Sequence, residues 1–215
     1  ALEWAKNVEC EEIADVLCDR APKPWQILAI TFTNKAANEL KERLSLMLGD
    51  AANEIWASTF HSSCVKILRR NADRLGFTNR FTIYDTDDSR RVMKECQRLL
   101  GIEDRFLSHK TILNEISRAK DALVSPAEFL KTAGQDTRLQ KIAQCYEKYQ
   151  KLLQNADAMD FDDIIFNTVR LFQENPDVLE HYQHQFRYVM VDEYQDTNHA
   201  QYILTSLLAD GYRNI

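Results

Sequence analysis

Two adjacent carboxylates that follow an apolar run are the side chains in this sequence best placed to do chemistry. Val189, Met190 and Val191 lead into Asp192 and Glu193, and Tyr194, Gln195, Asp196, Thr197 and Asn198 follow. A strand that ejects an acid pair at its carboxyl end is how a Walker B site is built. The first acid holds Mg²⁺, often through water, and the second orients or deprotonates a water attacking a γ-phosphate. A bare acid pair is more often a solvated turn that caps the next helix; the full string favours the catalytic reading.

Such a pair belongs where open α/β sheets place their ligands, at the carboxyl ends of the strands, and the rest of the sequence supplies strands for a sheet. Residues 26–31 read as a buried strand. Thr33 or Asn34 then caps a helix whose Ala37, Leu40, Leu44 and Met47 share one face, and Gly49 stops it. The pattern recurs with a strand over residues 54–59, a helix carrying Val65, Leu68 and Leu75, and a stop at Gly76. Residues 81–84 read as a third strand and residues 188–191 as the strand bearing the acid pair. A last helix runs through Ile203, Leu204, Leu207 and Leu208.

From about residue 85 to residue 184 the strand pattern gives way to helices. Val92, Met93, Cys96, Leu99 and Leu100 make one buried stripe ending at Gly101. Ser125, Pro126 and Glu128 supply a capping serine, a proline at the first helical position and the reciprocal carboxylate. Leu139, Ile142, Ala143, Tyr146 and Leu153 mark a long helix. Asp160, Asp162 and Asp163 open another, which closes at Asn175 and Pro176. The prediction is an α/β fold, a parallel sheet with an inserted all-α subdomain. The first part of the α/β domain covers 1–85, the insertion 86–184, and the return with the acid-bearing strand 185–215.

The 45% hydrophobic content suits a folded protein with a sizeable core, and the charged residues are mixed in sign rather than blocked. A formal net charge of −6 argues against a protein that grips duplex nucleic acid with its whole surface, yet leaves room for a local cleft. Cys10, Cys18, Cys64, Cys96 and Cys145 are scattered without zinc spacing and read as reduced structural thiols. No apolar run approaches a membrane span and the amino end does not look like a leader, so the expected setting is cytoplasmic, with no membrane partner.

Three strings resemble those of superfamily-1 DNA helicases of the UvrD/PcrA/Rep type. The run from Asp192 to Asn198 is similar to their motif II, and the run from Ile30 through Thr31, Phe32, Thr33, Asn34 and Lys35 to Leu40 is similar to motif Ia. Thr59, Phe60, His61 and Ser62 resemble motif Ib. Met159 to Asp163 resembles a weaker signature of the family's helical subdomain. The resemblance implies a RecA-like P-loop NTPase sheet, ATP and Mg²⁺ as cofactors, and Asp192, Glu193 and Gln195 at the nucleotide, with Gln195 sensing the γ-phosphate. It also implies that Thr31, Phe32, Thr33, Asn34 and Lys35, with Thr59, Phe60 and His61, line a single-stranded DNA track. That chemistry is apt, because aromatic faces stack on any base while hydroxyls and amides hold phosphates. The alternatives are that Phe32 is a core residue, Thr33 a helix cap, His61 structural and Gln195 a surface glutamine.

The implied activity is 3′ to 5′ translocation on single-stranded DNA and unwinding of 3′-tailed duplex, together with a second RecA-like lobe. A non-hydrolysing single-stranded DNA-binding module, or the motor part of a helicase-nuclease subunit, are the alternatives. One departure stands out: the string G-x-x-x-x-G-K-[ST], whose amides and lysine cradle phosphates, is missing, and none of the five glycines precedes a lysine. Residues 1–24 read instead as an amphipathic helix through Trp4, Val8, Ile13, Val16 and Leu17. The chain is therefore expected to be a piece of a longer helicase and to hydrolyse ATP poorly or not at all on its own.

Overall fold

A computed structural model describes residues 21–215; the helix expected around Trp4 and Leu17, and Cys10 and Cys18, lie outside the described residues. Five strands and nine α-helices follow one another among the described residues. They are β1 (Ile27–Thr31), α1 (Asn34–Leu48), β2 (Trp56–Thr59), α2 (Phe60–Asn71), β3 (Thr82–Ile83), α3 (Thr86–Leu100) and α4 (His109–Asp121). There follow α5 (Pro126–Ala133), α6 (Thr137–Asn155), β4 (Ala158–Met159), α7 (Phe161–Glu174), α8 (Pro176–Gln185), β5 (Tyr188–Val191) and α9 (His199–Ala209).

The main sheet is parallel, in the order β2-β1-β5. Strand β1 is central, so it is covered on both faces and reads as an uninterrupted apolar run rather than an alternation. Leu28 and Ile30 point to a large core shared with Trp56, Val189 and the apolar stripes of α2, α7, α8 and α9. On the opposite face Ala29 and Ala57 pack under Leu40 and Leu44 of α1. Met47, expected on that same face of α1, is 79% exposed.

A second core brings α3, α4 and α6 together around Met93, Ile112, Ile116, Tyr146 and Tyr149. Leu99, placed by periodicity in the α3 stripe, stands outside it at 46% exposure. The chain leaves for this unit and returns from it through one small parallel ladder, in which Thr82 pairs with Ala158 and Ile83 with Met159. The third strand expected at 81–84 therefore shrinks to two residues and pairs here instead of joining the main sheet. Its partner β4 carries too short an apolar run to announce itself.

The two cores also move the seam of the insertion. Helices α7 and α8, read as part of an insertion ending near residue 184, bury Ile164, Val169, Phe172, Val178 and Tyr182 in the sheet's own core. Helix α7 lies against α2 and α9, the helices that pack on the main sheet, and its stripe joins their core.

Local signals hold at several helix starts. Thr33 caps α1, its hydroxyl accepting from the Ala36 N–H at 3.1 Å. Ser125 and Glu128 form the reciprocal box ahead of Pro126. Gly76 sits in the left-handed region at φ 79°, and a Cβ there would stand 3.3 Å from the Gln154 amide of α6. Cys64, Cys96 and Cys145 are free and buried, and burial pushes the Cys64 thiol up to about 12, as fits unreactive structural thiols. No described helix is long and apolar enough to cross a membrane.

Candidate functional site

The acid pair and the segment after β1 meet at one edge of the main sheet. Ile30 is level with Val191 in the register of β1 and β5. The ladder then runs one step further, the Asp192 N–H donating to the Ile30 carbonyl at 2.9 Å. Asp192 and Thr31 thus stand side by side at the carboxyl end of adjacent parallel strands. Thr59 ends β2 on the other side, level with Thr31. Three chain segments separated by up to 160 residues converge on this edge because all three strands run the same way.

Beyond Asp192 the backbone turns sharply. Glu193 takes φ 51° and ψ 45°, a left-handed conformation unusual for a residue with a Cβ. That turn holds its carboxylate in solvent, where it accepts from Gln195 Nε2 at 2.5 Å across the single 3-10 turn Tyr194–Asp196. Asp192 lies at the rim of an open cavity of about 410 Å³ under α1, whose wall also includes Thr31, Glu39, Arg43 and Met190. Hard carboxylate oxygens on an exposed edge suit Mg²⁺. Among the described residues no cluster of three or more His, Cys, Asp or Glu side chains gathers. An ion on Asp192 would therefore take its remaining ligands from water and phosphate oxygens, the usual habit of Mg²⁺.

The residues expected along the single-strand track divide into two groups. Asn34 and Lys35 are exposed in the first turn of α1, with Thr33 exposed as its cap. Phe32 is half-buried, its ring 5.4 Å from that of Phe60 and packed on the main core, with one part left to solvent. Thr31 and Thr59, by contrast, are buried. The Thr31 hydroxyl donates to the Thr33 carbonyl at 3.2 Å, and Thr59 caps α2 by accepting from the Ser62 N–H at 3.2 Å. Phe60 is 1% exposed, so the base contact expected of it is not available to its ring.

His61 does reach this surface, and its neighbour is a residue that sequence reasoning missed. Its ring lies 4.5 Å from Phe161, the first residue of α7, which is 58% exposed. Burial holds the His61 pKa below the usual imidazole range, although Asp162 and a hydrogen bond to the Phe161 backbone pull the other way. A neutral imidazole beside an exposed phenyl ring makes an uncharged aromatic surface. The resemblance over Met159 to Asp163 marks this stretch only as part of a helical subdomain, and spacing places Phe161 on the same helical face as Ile165 and Phe172.

The start of α7 is fixed by a second unexpected feature. Asp160 and Asp163, two of the acids expected to open this helix, form a capping box, and both also hold a cation. Lys120, fully buried at the end of α4, lies 2.7 Å from Asp160 Oδ2 and 2.8 Å from Asp163 Oδ1. Tyr149 donates to Asp160 at 3.0 Å and Gln150 to Asp163 at 2.9 Å. Burial alone would lower the lysine's pKa, and the two carboxylates more than offset it. Asp160 is held below the ordinary carboxylate value: burial would raise it, and Lys120 together with the hydrogen bonds from the Asp163 N–H and the Tyr149 hydroxyl outweighs that. Burial and then the charge of Asp160 push Asp163 up to about 6.

Comparison with known proteins points the same way as the geometry. Residues 8–215 match the family described as the UvrD/REP helicase N-terminal domain. The chain is 47% identical over 209 residues to the ATP-dependent DNA helicase PcrA of Bacillus subtilis (strain 168), covering 97% of this chain and 28% of that protein. It is 46% identical to PcrA of Staphylococcus aureus (strain Mu50 / ATCC 700699) and 45% identical to PcrA of Staphylococcus epidermidis, again over 97% of this chain and 28% of each relative.

Proposed function

Because the chain belongs to the UvrD/REP helicase N-terminal domain family, we propose that it forms part of an ATP-dependent DNA helicase motor. The complete protein would translocate on single-stranded DNA and unwind 3′-tailed duplex in the 3′ to 5′ direction, with a second RecA-like lobe closing over the nucleotide. The chain spans about 28% of the length of the PcrA proteins it matches. The observation that carries the reading is the placement of Asp192 next to Thr31 on one sheet edge. A motor that converts hydrolysis into movement along a strand needs its metal-holding acid and its strand-gripping segment on a common rigid element.

In this reading Asp192 would hold Mg²⁺, which would supply positive charge to the phosphates of ATP. Glu193 accepts a proton from the attacking water, its carboxylate aimed by the left-handed turn beneath it. Gln195, bonded to Glu193, can exchange that bond for one to the γ-phosphate, since an amide both donates and accepts. On the DNA side Phe32 offers a ring edge and Thr33, Asn34 and Lys35 offer polar groups to phosphates. The buried Thr31 and Thr59 shape the backbone there, while His61 and Phe161 present a second stacking surface.

The test is DNA-stimulated ATP hydrolysis by the complete protein. Glu193→Gln should abolish turnover while nucleotide binding persists, because Asp192 still anchors the metal. Turnover at the wild-type rate would refute the assignment of Glu193.

A further inference from the structure

The carboxyl end of α4 touches both halves of the candidate site, and the local physics of that helix does not account for its residues. Asp121 is the last residue of α4, where a carboxylate faces the negative end of the helix dipole. Burial, then the charge of Asp162, pushes its pKa up. Its partner lies outside the helix: Asp121 Oδ1 accepts a 2.6 Å hydrogen bond from Nδ2 of Asn198, 77 residues away. Asn198 closes the string that begins at Asp192. Its other side-chain atom caps α9, accepting from the Gln201 N–H at 2.9 Å.

The neighbouring residue, Lys120, reaches the other half. It is bonded to Asp160 and Asp163, the two acids that flank Phe161 and fix where α7 begins. Phe161 in turn carries the exposed ring against His61. Two consecutive residues of the helical unit thus hold, on one side, the loop bearing Glu193 and Gln195 and, on the other, the His61–Phe161 surface.

We propose that Lys120 and Asp121 are positioning residues that hold the Asp192-to-Asn198 loop and the His61–Phe161 pair in one relative setting, so that a shift of the loop during turnover is transmitted to the DNA-facing pair. This rests on the helicase reading above. The link is a chain of specific bonds, and energetic coupling between two sites is established by breaking and restoring such a bond rather than by its position alone.

The Asn198–Asp121 bond allows that experiment in the complete protein. Asp121→Ala removes the acceptor and relieves the unfavourable helix end. ATP hydrolysis without DNA should stay within about twofold of wild type, while stimulation by saturating oligothymidylate falls at least about fivefold, the lower end of ordinary coupling between sites. Asn198→Asp keeps an acceptor for the α9 cap, since Asp and Asn serve there alike, but sets two carboxylates against each other. It should lower the ratio of stimulated to basal hydrolysis in the same way. Combining it with Asp121→Asn reverses the donor and acceptor, and the ratio should return to within about twofold of wild type. Unchanged stimulation in Asp121→Ala, or a reversed pair that stays as low as Asn198→Asp alone, would overturn the proposal while leaving the helicase reading intact. A wild-type complete protein with no DNA stimulation would bring down the helicase reading, and this proposal with it.

Discussion

Replacing Lys120 by Met removes a buried positive charge while keeping most of the side chain's length and volume. Asp160 and Asp163 would then lie within the protein with no cation between them, at 7% and 1% exposure. Breaking a buried ion pair from one side costs about 3–5 kcal/mol, because the remaining charge is uncompensated. The two acids can limit that loss only by taking up protons. In the unfolded chain both carboxyls ionise near pH 4, so a folded variant that keeps a proton at neutral pH holds more protons than the unfolded state, and its stability falls as pH rises. Each retained proton changes stability by about 1.36 kcal/mol per pH unit, or about 2.7 kcal/mol between pH 8 and pH 6.

Wild type behaves differently in that window. Asp163, raised to about 6, is about half protonated at the lower edge of that window, so its effect on stability falls mainly between roughly pH 4 and 6. Asp160, held low by Lys120, contributes stability that is lost only as pH falls below the ordinary carboxylate range. Wild type should therefore gain only about 0.4 kcal/mol from this cluster on going from pH 8 to pH 6, whereas Lys120→Met should recover a large part of its loss. Urea denaturation of both proteins at the two pH values measures this. A loss under about 1 kcal/mol at pH 8, or an equal loss at both pH values, would show that the ion cluster is not what fixes the start of α7.

Two further outcomes bear on the surface proposed to face DNA. Phe32→Ala should weaken single-strand binding by the complete protein by about 1–3 kcal/mol if the ring stacks on a base. It should also lower the melting temperature, because the ring packs on Phe60; unchanged affinity with lowered stability would return Phe32 to the core. For His61, the pKa depression means that the folded chain binds the proton less readily than the unfolded one, so this residue's contribution to stability is complete above pH 6.5 and is lost as pH falls. Its imidazole resonances, followed by NMR, should titrate below 6.5, and a midpoint at or above that value would contradict the burial argument.

Features set within a few residues were legible in the sequence. The apolar runs at Leu28 to Ile30 and Val189 to Val191, the caps at Thr33 and Ser125, and the left-handed stops at Gly76 and Gly101 depend on contacts between near neighbours in the chain, and periodicity and cap chemistry report those. The acid pair and its position at the end of a strand were readable for the same reason. Where α7 packs was not, because an amphipathic stripe states that a face must be covered and leaves open which surface covers it; α2 and α9, the helices on the main sheet, do so. The fate of residues 81–84 was likewise undecided until β4 supplied a partner 76 residues later.

The chemistry of the site divides along the same line. Residue types and order marked Asp192, Glu193 and the segment after Thr31, and the parallel register brought them to one edge. Only the tertiary structure withdrew the Phe60 ring into the core, set Phe161 against His61, and placed Lys120 between two aspartates 40 and 43 positions away. A lysine in a helix gives no sign that it is buried, since its cost is offset solely by partners that the fold brings in from distant parts of the chain.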